Sequence, residues 1–134
     1  MELDNKKLFI FDLDGTLVDT APDFKNSLNY MLSEMGEDIV ELSDIRNWVG
    51  YGARELIRRT VEAKNIKHND KKINEMLRIF LLHYTHNIDD DSVLYNNVEN
   101  FLRHLKKNNI KTSVCTNKME SLSIMLLEKL GVLN

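Results

Sequence analysis

The sequence predicts an α/β chain in which a parallel-sheet core is interrupted by an all-helical insertion. Three observations predict it. A continuous apolar run, Leu8-Phe9-Ile10-Phe11, stops abruptly at Asp12-Leu13-Asp14-Gly15-Thr16. From Thr20 onward the apolar spacing is helical until Asp89-Asp90-Asp91-Ser92 breaks it. A helix, a second strand-like run and a last helix then follow, so the order reads as one βαβ unit opened by a helical block.

Leu8 to Phe11 is apolar at every position, which suits a short parallel strand covered on both faces. The period then changes. Pro22 fits a first helical turn, Phe24, Leu28, Met31, Leu32 and Met35 follow at helical spacing, and Gly36 is placed to end that helix. Ser43 is placed to cap a short helix through Ile45, Trp48 and Val49, stopped by Gly50. A third helix starts near Ala53, with Leu56, Ile57 and Val61 on one face. The clearest begins after Asn69 or Asp70. Its stripe of Ile73, Met76, Leu77, Phe80, Leu81 and Tyr84 keeps the i, i+3, i+4 rule over several turns. Beyond the break, Val98, Phe101, Leu102 and Leu105 mark a helix, Ile110 to Thr116 a strand, and Leu122, Met125, Leu126 and Leu130 a final helix before Gly131.

The 134 residues suit one ordinary domain or two small ones, and 43% hydrophobic with 29% charged residues is a globular composition. Net charge is −3 and no basic block stands out, which argues against a nucleic-acid partner. The single cysteine, Cys115, leaves no internal disulfide and fits a reducing compartment. The apolar run at Leu8 to Phe11 is far too short for a signal peptide or a membrane span. The expected location is therefore cytoplasmic, with no membrane partner.

The carboxylate pair carries the chemistry. A helix-loop-helix calcium site fails, because placing Gly15 at its sixth position puts Ile10 at the first and Ala21 at the twelfth. Gly50-Tyr51-Gly52 starts like a dinucleotide fingerprint, but Glu55 stands where the third glycine belongs. A turn whose aspartates merely satisfy backbone amides is the structural alternative. Phosphoryl transfer explains the pattern better. Ligands of open α/β sheets bind at the carboxyl ends of strands, and a spacing of two directs Asp12 and Asp14 to one side. An ionised Asp12 attacks phosphorus, while Asp14 gives a proton to the leaving oxygen and later takes one from water. Mutual repulsion separates the two pKa values and permits these opposite roles. An anionic nucleophile meeting an anionic phosphate needs positive charge between them, and Mg²⁺ on the Asp12 carboxylate and a backbone carbonyl supplies it.

The string Phe11-Asp12-Leu13-Asp14-Gly15-Thr16-Leu17-Val18-Asp19-Thr20 resembles the first motif of the haloacid dehalogenase superfamily. Val114-Cys115-Thr116-Asn117-Lys118 is similar to its second motif, and Trp48-Val49-Gly50-Tyr51-Gly52-Ala53-Arg54 resembles the cap loop of the phosphoglycolate phosphatase-like branch. The resemblance implies a partial Rossmann-like core in residues 1–19 and 92–134, with a helical cap in residues 20–91. It implies Asp12 as nucleophile and metal ligand, and Asp14 as acid/base with its carbonyl on the metal. Leu13, Thr116 and Asn117 would bind phosphate, and Gly50, Gly52 and Arg54 would face the substrate from the cap loop. The implied activity is hydrolysis of phosphoglycolate or a similar small phosphorylated metabolite, with Mg²⁺ as cofactor.

Other residues read more plainly. Arg54 suits either a substrate carboxylate or a solvated helix face. Lys118 follows the phosphate-binding pair, yet it is not the lysine of the family's third motif. His83 and His86 lie three apart on a helix with no third ligand in view, and read as surface histidines. Cys115 and Trp48 read as core residues. Asn96-Asn97 stands where the family usually has Pro-Gly.

The family's third-motif lysine and fourth-motif acids fall beyond the helix after the second motif, the region where this sequence ends at Asn134. The expectation is an incomplete copy whose first strand shows an open apolar edge, inviting self-association. A non-catalytic form that binds phosphate or assembles through that edge is the rival reading. A phosphosugar mutase is a third, differing in whether cap closure keeps water from the phospho-aspartate.

Overall fold

The first strand finds its partner near the other end of the sequence. The structure, a computed structural model, describes residues 8–133. Residues 1–7, the start of the expected core segment 1–19, and Asn134 lie outside the described residues. Strand β1 (Leu8–Phe11) runs parallel to β4 (Lys111–Val114), in register from Leu8 beside Lys111 to Phe11 beside Val114. Period-two alternation sorts β1 into two faces. Phe9 and Phe11 stack at 6.1 Å, and Phe101 of α5 (Val98–Lys107) meets them edge-on at 5.7 and 6.2 Å. Leu8 and Ile10 point the other way and are 50% and 63% exposed. A strand expected to be covered on both faces is thus covered on one. The apolar run encodes a strand but not how many neighbours it meets, and no other described strand pairs with β1.

Between these strands lie α1 (Ala21–Glu34), α2 (Leu42–Arg46), α3 (Ala53–Ala63) and α4 (Asp70–His86). The Asn69 side chain caps α4 by accepting the Lys72 N–H at 2.9 Å. The cap of α2 falls at Glu41 rather than Ser43. Asp44 reaches back to accept the Glu41 N–H at 3.1 Å, so the chain turns into the helix two residues earlier. Leu28, Met31, Leu32, Ile45, Ile57, Val61, Met76, Phe80 and Ile88 are fully buried. Phe24, Phe80 and Tyr84 form an aromatic column with centroids 4.9–6.2 Å apart.

Two short strands stitch the block to the core. Val18–Asp19 (β2) pairs antiparallel with Val93–Leu94 (β3), and neither was legible at two residues' length. The buried Asp23 carboxylate ties the same crossing. It accepts the Asp91 N–H at 3.0 Å and the Ser92 hydroxyl at 2.7 Å. Asp19 adds a bidentate pair with Arg46, each arm 3.0 Å. The last helix, α6 (Glu120–Lys129), follows β4 and buries Leu122, Leu126 and Leu127.

The asparagine pair at 96–97 has a conformational reading. Asn97 adopts φ +67° just before α5. Asparagine is among the few non-glycine residues that visit the left-handed region readily, so it serves a turn where the related motif uses glycine.

Candidate functional site

The parallel register brings the two motifs to one end of the sheet. The Cys115 N–H donates to the Phe11 carbonyl at 2.8 Å, extending the pairing by one step. Asp12 and Thr116 therefore leave the same carboxyl end of adjacent strands. A tight loop follows Asp12. The N–H groups of Leu17 and Val18 converge on the Leu13 carbonyl at 3.0 and 3.1 Å, and Leu13 itself is fully buried as the loop's apolar anchor. Gly15 turns the chain at φ +79°, a conformation costly for any residue with a Cβ.

The two carboxylates share this loop but not an environment. Asp12 is exposed, and one of its oxygens accepts the Leu13 N–H at 2.8 Å. Asp14 is buried. Strand alternation directs both to one side only while the chain stays extended, and β1 ends at Phe11.

Asp14 reaches a cation supplied by the second motif. The Lys118 ammonium donates to Asp14 Oδ1 at 2.9 Å and to the Tyr84 hydroxyl at 2.9 Å. The two charged side chains are only 3% and 6% exposed. The same ammonium lies 4.3 Å from the Phe24 ring centroid and 4.8 Å from that of Tyr84. Burial pulls Lys118 below the usual lysine value, with Asp14 acting against that shift. Burial, then the charges of Asp14 and Asp23, raise the Tyr84 phenol well above its ordinary range. Tyr84 therefore stays protonated. Thr116 Oγ1 accepts the Lys118 N–H at 3.1 Å, which fixes the turn that delivers the lysine.

The loop before α3 closes the site from the helical side. Asn117 donates its amide to the Gly50 carbonyl at 2.8 Å. Gly52 sits at φ +88°, where an added Cβ would stand 3.3 Å from the Asn117 carbonyl oxygen. Trp48, Val49, Gly50, Gly52, Asn117 and Lys118 border the resulting cleft, whose empty space is about 450 Å³ including its mouth. Arg54 is elsewhere: exposed, and hydrogen-bonded to Asn74.

Comparison with known proteins places this arrangement. A model of "Haloacid dehalogenase-like hydrolase" proteins matches residues 9–134. The chain belongs to the haloacid dehalogenase-like hydrolase family. It is 37% identical to a phosphoglycolate phosphatase of Mesorhizobium japonicum over 128 residues, 96% of this chain and 56% of that one. It is 39% identical to the phosphoglycolate phosphatase of Agrobacterium fabrum over 125 residues, 93% and 54% of the two chains. A crystal structure of a predicted phosphoglycolate phosphatase from Haemophilus somnus superposes with a TM-score of 0.89 at 29% identity, covering 98% of this chain and 60% of that one. The chain thus spans somewhat over half the length of these relatives. The neighbours share the family's α/β fold: a Rossmann-like core with a helical cap, here α1–α4.

Haloacid dehalogenase-like phosphatases generally use Mg²⁺, a hard cation that takes oxygen ligands. Here the Asp12 carboxylate is exposed, and the Asp14 carbonyl takes no N–H from its own loop. Two oxygens at one strand end suit Mg²⁺, which keeps several waters and shares phosphate oxygens. They are not a complete protein cage: among the described residues no three His, Cys, Asp or Glu side chains gather. His83 instead pairs with Ser27 Oγ at 2.9 Å and stacks on Tyr30.

Sequence reasoning undervalued Lys118 and missed the Tyr84 hydroxyl. Tyr84 was legible as an apolar stripe residue, but its polar end meets a lysine 34 residues away. A hydroxyl-bearing residue closing an otherwise apolar stripe was the available signal.

Proposed function

We propose that this chain acts as a Mg²⁺-dependent phosphomonoester hydrolase working through an aspartyl-phosphate, on phosphoglycolate or a similar small phosphomonoester. The supporting observation is the shared strand end: Asp12 and Thr116 leave adjacent parallel strands together, with Asp14 in the wall of the cleft beside them. Residues 1–19 and 92–134 supply the chemistry, and residues 20–91 cover it.

An Asp12 oxygen attacks phosphorus, and the bond from phosphorus to the leaving oxygen breaks as Asp14 gives that oxygen a proton. Water then attacks the phospho-aspartate, Asp14 takes its proton, and Asp12 and phosphate are released. Thr116 Oγ1 and the Asn117 and Leu13 N–H groups hold phosphate oxygens. The Asp12 carboxylate and the Asp14 carbonyl would hold Mg²⁺, which would supply positive charge between nucleophile and phosphate. Gly50 and Gly52 border the leaving-group side. The chemistry suits a cytoplasmic metabolite, and no described helix is long and apolar enough to cross a membrane.

The test is phosphate release from p-nitrophenyl phosphate and 2-phosphoglycolate with Mg²⁺. Asp12→Asn abolishes it in this account; an undiminished rate in that variant overturns the mechanism. The exposed Leu8 and Ile10 on a singly paired strand favour a second property, self-association through β1. Size-exclusion chromatography across a concentration series reads it directly.

A further inference from the structure

The cleft is mostly apolar, and one cationic side chain, Lys118, borders it. Phe24, Trp48, Leu56, Phe80 and Leu122 supply much of its wall, and among the described residues the only charged ones lining it are Asp14 and Lys118. Arg54, the cap-loop cation that the sequence offers for a substrate carboxylate, bonds to Asn74 instead and does not border the cleft. Lys118 has three ammonium protons; Asp14 and Tyr84 take two, and the faces of Phe24 and Tyr84 enclose the charge.

This geometry poses a conflict for the hydrolysis proposed above. Asp14 must reach the leaving oxygen, yet its carboxylate is bound to Lys118. Withdrawing it would leave a buried ammonium with the Tyr84 hydroxyl as its remaining side-chain partner among the described residues, a costly state. A second carboxylate arriving as Asp14 leaves removes the cost, because one ion pair replaces another. A phosphomonoester whose leaving group carries a carboxylate delivers that group together with the phosphorus.

We infer that Lys118 determines substrate specificity: the carboxylate of the leaving group takes the place of Asp14 on the Lys118 ammonium, and the released Asp14 carboxylate takes a proton from solvent, which it then gives to the leaving oxygen. The inference rests on the phosphatase reading and adds to it the residue that reads the carboxylate of such a substrate and the partner exchange by which it does so. Tyr84 is a positioning residue, holding the ammonium in place while its carboxylate partner changes. A neutral leaving group of the same size fills the apolar cleft but leaves Asp14 tied.

The experiment compares 2-phosphoglycolate with ethyl phosphate, which has a methyl in place of the carboxylate. Affinities are measured by calorimetry with Mg²⁺ in the Asp12→Asn chain, which holds ligand without turnover, and again after adding Lys118→Met. The Asp12→Asn chain prefers 2-phosphoglycolate by about tenfold or more, the scale of one charge-assisted hydrogen bond, and Lys118→Met removes the preference. Because Lys118→Met leaves a buried carboxylate unpaired, a second measurement stands without it. The ¹³Cε signal of Lys118 in the Asp12→Asn chain shifts with 2-phosphoglycolate and not with ethyl phosphate. Equal affinities before Lys118→Met is added, a preference that survives it, or an unmoved Lys118 signal overturns the assignment while leaving phosphate binding intact. Failure of both esters to bind overturns the phosphatase reading and this inference with it.

Discussion

The helical block and the two-stranded sheet are built from similar residues and end in different states. In the block, Phe24, Phe80 and Tyr84 are buried in an aromatic column, within the same core cluster as Leu28, Met31, Met76 and Val61. In the sheet, Phe9, Phe11 and Phe101 form a comparable cluster, yet each is only half-buried and the opposite face of β1 stands in solvent. The difference lies in neighbours rather than in hydrophobicity. Four helices close around one another, while β1 has one strand beside it and one covered face. Stability therefore resides in the block, and the Lys118–Tyr84 and Asn117–Gly50 hydrogen bonds join it to the sheet side, where the proposed chemistry lies.

Substitutions sharpen that contrast in a definite order. Phe80→Ala removes a fully buried ring from the block and costs about 3–5 kcal/mol, read as a shift in urea midpoint. A loss under about 1 kcal/mol breaks the comparison. Asp23→Ala takes a buried acceptor from the Asp91 N–H and the Ser92 hydroxyl where the two connections cross. It costs roughly 2–3 kcal/mol in the same measurement. Asn97→Ala puts a Cβ-bearing residue with no polar side chain at φ +67° and costs about 1 kcal/mol. Ile10→Lys on the exposed face changes stability by less than about 0.5 kcal/mol, but it reduces self-association on size exclusion. A large destabilisation there would show that the sheet face is covered after all.

The smallest effect is electrostatic. Hydrogen bonds from Arg58 and Arg59 lower the Glu55 carboxyl from its ordinary 4.5 to about 2. A folded value below the unfolded one means stability present above the ordinary carboxylate range and lost as pH falls toward 2. The group is exposed, so the effect is slight and screened by salt. Glu55→Gln flattens this part of the acid-unfolding profile, and an unchanged profile removes the pair from the account.

Much of this was legible in the sequence because it is local. The helical stripes of α1, α3 and α4, the start of α4 after Asn69 or Asp70, and the two strand segments β1 and β4 follow from spacing and residue type. The misplaced α2 cap is local too, but Ser43 and Glu41 compete for one turn and the Asp44 reach-back decided it. What stayed hidden depends on contacts far apart in the chain. The β2–β3 ribbon is two residues long, the Asp23 clamp spans 68 residues and the Lys118–Asp14 pair spans 104. Nothing in a short window marks an aspartate as a hinge clamp or a lysine as a buried counter-ion.

The central claim is that the carboxyl ends of β1 and β4 form a phosphoryl-handling centre with Asp12 as acceptor. Its most direct test is phosphopeptide mapping by mass spectrometry after incubating the chain with acetyl phosphate and Mg²⁺ and quenching in acid. The account predicts one modified peptide, containing Asp12, which disappears in Asp12→Asn. Phosphate on another residue, or a modification that persists in Asp12→Asn, contradicts it.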